Sequence, residues 1–139
     1  MTGPVRFPYL ARGADPNDVA PILPVTLSLN GFSLDHRALI DSGASFCAPP
    51  RTLGDQFGED WDLLPRLFRL GGVAGGVRAK LLAVDVTIPP FPIRPIMFGW
   101  AETDVVPLIF GQMTFFLEFH VCFFRALSEF QLQLSSSTP

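Results

Sequence analysis

The chain has 139 residues, of which 48% are hydrophobic and only 17% are charged, and its formal net charge is −3. This length suffices for one domain with a buried core but is too short for two independent lobes. An acidic chain with scattered arginines lacks the clustered Lys and Arg that a nucleic-acid surface needs, so we expect no nucleic-acid partner.

The N-terminal segment, residues 1–21, is predicted to be loop-rich, with room for a short edge strand at residues 5–7. Its start contains no apolar run of the kind found in secretory signals, so we expect a cytoplasmic protein or a domain cut from a longer one. The longest apolar stretch, residues 105–124, contains Pro107, Gly111, Glu118 and His120. Such residues rarely occur together in a membrane span, so none is expected.

The first predicted hairpin lies in residues 23–39. Residues 23–29 alternate between apolar and polar side chains, and Asn30-Gly31 follows directly. Alternation that ends in Asn-Gly is a strong hairpin signal, because both turn residues adopt a positive φ. The return strand over residues 32–39 then brings Asp41 to the end of the sheet.

The middle of the chain is predicted to contain an irregular stretch and then a second hairpin. Residues 49–65 break the strand pattern, and the acidic cluster at 58–62 is interpreted as a solvated loop or one helical turn. Residues 67–70 and 77–88 flank a glycine-rich tip. Val84, Val86 and Ile88 alternate with polar residues, which is typical of a half-buried strand.

The C-terminal part is predicted to hold a strand at 96–98, one short helix at 112–116, strands at 119–124 and 130–134, and a frayed tail at 135–139. Residues 22–134 then form a single all-β domain. We expect it to be closed or nearly closed, with one or two short helices.

The cysteines and histidines do not suggest a metal site or a triad. Cys47 and Cys122 are far apart without metal-ligand spacing and are predicted to be reduced core thiols. His36 is expected on the surface and His120 within a strand, so neither is assigned to a Ser-His-Asp arrangement with Ser42. No metal and no cofactor are predicted.

The most informative motif is Asp41-Ser42-Gly43-Ala44, which directly follows the apolar run Ala38-Leu39-Ile40. It resembles the catalytic loop of aspartic proteases, in particular the single-domain retropepsin-like family of bacterial and retroviral type. Residues 70–77 resemble that family's flap hairpin, and residues 108–111 resemble its second apolar-apolar-Gly element. The resemblance spans residues 22–134 in the right order.

The resemblance implies an aspartic endopeptidase with a retropepsin-like β-barrel and a flap, active as a twofold homodimer because the chain holds a single Asp motif. The implied partners are a second copy and an extended peptide or protein substrate. The implied site residues are Asp41 as the catalytic carboxylate; Ser42, Gly43 and Ala44 as the active-site loop; Gly71, Gly72, Val73, Ala74, Gly75 and Gly76 as the flap; and Ile109, Phe110 and Gly111 as the loop support.

The implied chemistry follows from two facing carboxylates. Two Asp41 side chains about 3 Å apart cannot both stay ionised, so they share one proton and titrate as a pair. The ionised member activates a water, and the protonated member donates to the scissile carbonyl. The sequence leaves open whether the dimer forms by interleaved terminal strands or only by contact near Asp41.

Two positions depart from the retroviral pattern. Retroviral members commonly carry an acidic residue after Asp-Ser/Thr-Gly-Ala and an arginine after the second Gly, and the two form an ion pair. This chain has Ser45 and Gln112 there. We expect a hydrogen bond between these two residues instead, worth about 0.5 to 1.5 kcal/mol. The flap is also one residue longer.

Other interpretations remain open. The Asp-Ser-Gly string also occurs in ordinary turns, and glycine-rich segments also occur as plain linkers. An inactive dimeric module that binds peptides or mediates assembly would keep the same fold. A membrane-associated domain that uses residues 105–124 is a third hypothesis.

Overall fold

The computed structural model describes residues 3–65, 67–70, 76–104 and 107–135. Strands account for 53% of the structure, which confirms the all-β prediction. The strands are β1 (Val5–Pro8), β2 (Leu10–Ala11), β3 (Val19–Ala20), β4 (Ile22–Leu29), β5 (Phe32–Ile40), β6 (Leu67–Leu70), β7 (Val77–Thr87), β8 (Arg94–Ala101), β9 (Ile109–Phe110), β10 (Phe119–Phe124) and β11 (Glu129–Leu134). The helices are α1 (Arg51–Gln56) and α2 (Phe115–Glu118), with 3-10 turns at Trp61–Leu63 and Arg125–Leu127.

The largest sheet branches at β7, its longest strand. β8 pairs with one edge of β7. On the other edge, β6 pairs with the first residues of β7 and β4 with the last. The sheet continues from β4 to β5 and ends at β9, which pairs with β5 in parallel. β2 and β3 form a separate small ladder.

Both predicted hairpins are present. Leu29 pairs with Phe32 across a turn in which Asn30 has φ 54° and Gly31 has φ 80°, as an Asn-Gly hairpin turn requires. The arms β6 and β7 pair antiparallel from Leu67 opposite Lys80 to Leu70 opposite Val77. Gly71 to Gly75, which were predicted to form the flap tip, lie outside the described residues.

The described ranges contain no closed barrel, so the closed form of the predicted barrel is wrong there. In the described residues β8 and β9 do not pair with each other. Isolated bridges join the segment after Asp41 to each of them, Cys47 to Phe98 on β8 and Ala48 to Ile109 on β9. The chain that follows Asp41 runs between these two strands without forming a continuous ladder with either. That segment therefore separates β8 from β9, whose direct pairing would be needed to close the barrel.

The terminal strands form a sheet of their own, in the order β1, β11, β10. Val5 pairs with Leu132, and Phe119 pairs with Leu134. β1 belongs to the loop-rich N-terminal segment, so this segment contributes a strand to the same sheet as the C-terminal hairpin. The apolar face of the sheet packs on the main core through Phe119, Phe130 and Leu132.

Phenylalanines connect the two sheets through the core. Ring centroids lie 5.9 Å apart for Phe98 and Phe110, 4.7 Å for Phe110 and Phe115, and 4.9 Å for Phe115 and Phe119. Such pairs add about 0.5 to 1.5 kcal/mol each beyond area burial. They pack β9 and α2 against β8, and the Phe110 carbonyl of the same cluster accepts the Asp41 N–H.

Two local predictions need correction, those of the short helix and of Cys122, whereas the 58–62 cluster has the helical turn that was one of its two predicted alternatives. The short helix lies at Phe115–Glu118, rather than at 112–116, because residues 111–113 bond to another segment. The 58–62 cluster contains a 3-10 turn whose Trp61 is fully buried, with its indole N–H donating to the Trp100 carbonyl at 2.7 Å. Cys47 is buried, but Cys122 is exposed on β10 and is not a core thiol.

Within the described residues, no helix is long and apolar enough to cross a bilayer.

Candidate active site

Asp41 lies directly after β5, where β5 and β9 run in parallel. The Leu39 N–H donates to the Leu108 carbonyl and the Asp41 N–H donates to the Phe110 carbonyl, both at 2.9 Å. Ile40 and Phe110 are buried on either side of this pairing, and Asp41 is half-buried. The apolar run before the motif therefore forms the core strand that places the Asp41 carboxylate at the sheet edge.

The Asp41 side chain is fixed by its own loop. The Gly43 N–H donates to Asp41 Oδ1 at 2.9 Å, and the Ala44 N–H donates to the Asp41 carbonyl at 3.2 Å. A Cβ on Gly43 would lie 3.2 Å from Asp41 Oδ1. Ser42 and Gly43 are exposed and Ala44 is half-buried, so the loop presents the carboxylate to solvent without a side chain from Gly43 in front of it.

The segment after β9 is hydrogen-bonded to this loop through the backbone. The Gln112 N–H donates to the Ala44 carbonyl and the Met113 N–H to the Ser45 carbonyl, both at 2.9 Å. A Cβ on Gly111 would lie 2.5 Å from the Phe46 carbonyl oxygen and 2.6 Å from that of Ala44. Only glycine lets the two backbones approach this closely.

Gln112 makes a different contact from the expected one. Its side-chain amide donates to the Ser42 carbonyl at 2.8 Å, rather than to Ser45. The expected position carries a backbone bond from Met113 to Ser45 instead. The predicted partner of Gln112 was wrong, because the residue types do not show how far the Gln112 side chain reaches.

Cys47 completes the support. The Gly111 N–H points at its Sγ at 3.3 Å, and the Cys47 N–H donates to the Met113 carbonyl at 2.8 Å. Burial raises the pKa of the Cys47 thiol above its ordinary value, so this thiol stays protonated at neutral pH. The sequence indicated a buried thiol but carried no signal that it would contact Gly111.

Of the predicted flap residues, Gly76 is described and has φ 91°, a conformation that favours glycine. It follows the segment Gly71, Gly72, Val73, Ala74 and Gly75, which lies outside the described residues. The arms that carry this segment belong to the large sheet.

An apolar groove of about 860 Å³ lies beside the Asp41 loop and was not predicted from the sequence. Phe46 and Met113 belong to the segments that carry and support the loop, and Phe46 packs on Phe68 of β6 with ring centroids 5.0 Å apart. The lining residues are Phe46, Pro65, Leu67, Phe68, Leu81, Met97, Met113 and Thr114. Asp41 does not line the groove itself but lies five residues before Phe46.

The described residues contain no group of three His, Cys, Asp or Glu side chains placed to hold a metal ion. His36 and His120 are both exposed, on β5 and β10. No protein-family model matches the chain, and no curated protein matches its sequence significantly. A function therefore has to be inferred from the geometry around Asp41.

Proposed function

We propose that this chain is a retropepsin-like aspartic endopeptidase, active as a twofold homodimer, with Asp41 as the catalytic carboxylate. The observation that carries the proposal is the position of Asp41 at the end of the parallel β5 and β9 pair. There its backbone is bonded to Phe110 and its carboxylate is half-exposed. Among the residues described, no ion pair to Asp41 occurs.

The reaction needs a second Asp41 from another copy. With one proton shared between the two carboxylates, the ionised Asp41 removes a proton from a water molecule. The water oxygen bonds to the scissile carbonyl carbon, while the protonated Asp41 donates to the carbonyl oxygen. Collapse of the tetrahedral intermediate breaks the C–N bond, and the amine leaves with a proton returned by the pair.

The loop is built to hold the carboxylate before substrate arrives. Gly43 donates to Asp41 Oδ1, and Gln112 ties down the Ser42 carbonyl. Gly111 and Cys47 support the same loop from below. Catalytic groups that are fixed in advance lose little free energy to reorganisation during the reaction.

The groove supports a peptide substrate with apolar side chains. Its walls are aliphatic, aromatic and thioether groups, and Thr114 contributes the one hydroxyl, which accepts a hydrogen bond from the Met97 N–H at 3.0 Å. An extended peptide that passes Asp41 would place an apolar side chain next to Phe46 and Met113. We therefore expect cleavage sites with a large apolar residue near the scissile bond.

A second candidate, an inactive peptide-binding module, rests on a specific observation. The bond from Gly43 to Asp41 Oδ1 is also the bond that an ordinary Asx turn would make. In that case Asp41 would only shape the turn, and the groove would bind peptide without cleaving it.

The two candidates are separated by the Asp41→Asn variant. Purified protein is incubated with a peptide library between about pH 4 and pH 7, and cleavage sites are read by mass spectrometry. We expect Asp41→Asn to lower kcat/KM by at least about a thousandfold, because the amide cannot act as the base. The thermal unfolding temperature should change little.

A matched control is Asp35→Asn, which removes a carboxylate from the exposed part of the same strand. This variant should cleave like the wild type. Cleavage that persists in Asp41→Asn would refute the catalytic assignment, and wild-type protein that binds apolar peptides without cutting them would favour the binding module.

A further inference from the structure

The two outer edges of the terminal sheet differ in a way that points to a partner. β1 carries Pro8, and its Arg6 bonds to Glu129 at 3.0 Å. Proline and charged residues are the features that keep an edge strand from pairing with another chain. β10 has the sequence Phe-His-Val-Cys-Phe-Phe, with no proline and no Lys, Arg, Asp or Glu.

The outer edge of β10 pairs with no strand in the described part of the chain. Its backbone N–H and C=O groups on that side are bonded by none of the main-chain contacts found there. His120 and Cys122 are exposed, and Phe123 keeps 39% of its surface accessible. A six-residue apolar edge of this kind is a template for another strand.

We propose that β10 pairs antiparallel with β10 of a second copy, so that two terminal sheets join into one sheet of six strands. The inference rests on the proposed function, because a single Asp41 is half of a carboxylate pair and a second copy must supply the other. It differs from both dimer modes left open by the sequence, because the contact is the β10 edge rather than interleaved terminal strands or the Asp41 loop. β1 and β11 already pair within one chain, so the termini need not be exchanged.

Symmetry restricts how the two strands can align. A twofold axis that relates antiparallel edge strands is perpendicular to the sheet, so both copies keep the same face toward the core. Side chains alternate between the faces, so each residue must lie opposite one of its own face. Two registers then pair five residues of each β10 strand, one centred on Val121 and one centred on Cys122.

Both registers give Phe123 an apolar cross-strand partner. With Val121 opposite Val121, Phe123 lies opposite Phe119 of the partner subunit. With Cys122 opposite Cys122, it lies opposite Val121 of the partner subunit. In each case the face that holds the buried Phe119 stays on the core side, so the axis runs through the body of the dimer rather than along its surface.

The first test measures the mass of the purified chain by sedimentation as a function of concentration. Phe123→Lys should weaken the dimer at least about tenfold, because each dimer acquires two charges beside an apolar strand. The matched control is Phe32→Lys, which changes an exposed phenylalanine at the start of β5. Phe32→Lys should leave the dissociation constant unchanged.

The second test does not depend on whether Phe123→Lys folds. Opposite residues in antiparallel strands have Cα atoms about 4.5 to 5.5 Å apart, which a disulfide can span. Mild oxidation should link wild-type copies through Cys122 in one register. In the other register it should link the double variant Val121→Cys with Cys122→Ser.

The control for random collisions is Phe32→Cys with Cys122→Ser, which should stay unlinked. Cys47 is buried and should not react. Disulfide formation by either β10 cysteine, with a dimer that Phe123→Lys weakens, supports the inference. A chain that sediments only as a monomer, or a dimer that neither β10 cysteine can link, overturns it.

The outcomes separate this inference from the proposed function. Cleavage that depends on Asp41, from a dimer that β10 cysteines cannot link, would overturn the β10 interface and leave the protease assignment intact. A dimer that is linked through β10 but cuts no peptide would overturn the protease assignment and leave the β10 interface intact.

Discussion

Gly54 and Gly111 have no room for a side chain, and different neighbours fill the space. At Gly54, in α1, a Cβ would overlap the indole ring of Trp100. At Gly111 it would lie 2.5 Å and 2.6 Å from two backbone carbonyl oxygens. Both glycines are buried, but Gly54 meets an indole ring, whereas Gly111 meets the main chain of the Asp41 loop.

Gly54 is therefore required by the packing of the core, whereas Gly111 is required by the candidate active site. Gly54 lets α1 pack on Trp100, whose indole N–H donates to the Arg51 carbonyl at 3.0 Å. A larger residue there disturbs the packing of α1 on Trp100. Gly111 allows its backbone to approach the loop that carries Asp41 closely, so a larger residue there moves the carboxylate.

Of the two glycine variants, Gly111→Ala should have the larger effect on activity. The added methyl group must push the carbonyls of Ala44 and Phe46 away, and the loop between them and Asp41 moves with them. We expect kcat/KM to fall at least about a hundredfold, since misplacement by about 1 Å can cost that much. The assay is hydrolysis of a peptide identified from the library.

The control is Gly13→Ala, in an exposed loop where a Cβ meets nothing within 4 Å. It should have wild-type activity and stability. If Gly111→Ala cleaved peptide as fast as the wild type, the idea that this glycine positions Asp41 would have to be abandoned.

A smaller effect on activity, with a clear loss of stability, should follow from Gly54→Ala. The Cβ overlaps Trp100, which is fully buried and cannot swing aside. Overpacking of this kind costs about 1 to 3 kcal/mol, more than the gain of roughly 1 kcal/mol from replacing a helical glycine by alanine. Urea unfolding should show this loss.

The protein that remains folded in Gly54→Ala should keep near wild-type kcat/KM in the absence of urea. Equal losses of activity in the Gly54→Ala and Gly111→Ala variants would erase the distinction between core and site.

The smallest effect concerns Asp104, beside the start of α1. The Thr52 hydroxyl, and then the Thr52 N–H at 2.9 Å from Oδ1, hold the pKa of Asp104 below its ordinary value. Because the pKa of Asp104 is lower in the folded chain than in the unfolded chain, its ionised form stabilises the fold. This stabilisation is complete above the unfolded pKa of about 3.9 and is lost as the pH falls through the folded pKa.

Asp104→Asn should therefore lower the Tm at pH 7 by no more than about 2 °C. The difference from the wild type should vanish in acid, below the folded pKa of Asp104. Thermal unfolding at several pH values measures this, and a difference that grew toward low pH would contradict the sign.

Local patterns account for what could be predicted of the fold. Alternation and Asn30-Gly31 were enough for the first hairpin, because turn residues with positive φ constrain their immediate neighbours. The all-β class and the strands on either side of the glycine-rich segment follow from the same period of two. The corrections arise where distant segments meet, as at residues 111–113, which bond to the Asp41 loop, and at the interrupted β8 and β9 junction.

That an apolar strand ends in Asp41-Ser42-Gly43 can be read from consecutive residues alone. That Gly111, Gln112 and Cys47 hold this loop, that an apolar groove lies next to it and that the outer edge of β10 is unpaired within the described residues follow only from the folded chain. Those features depend on contacts between segments up to 70 residues apart, such as Gln112 with Ser42. The path of the chain, rather than the local pattern, sets which of them meet.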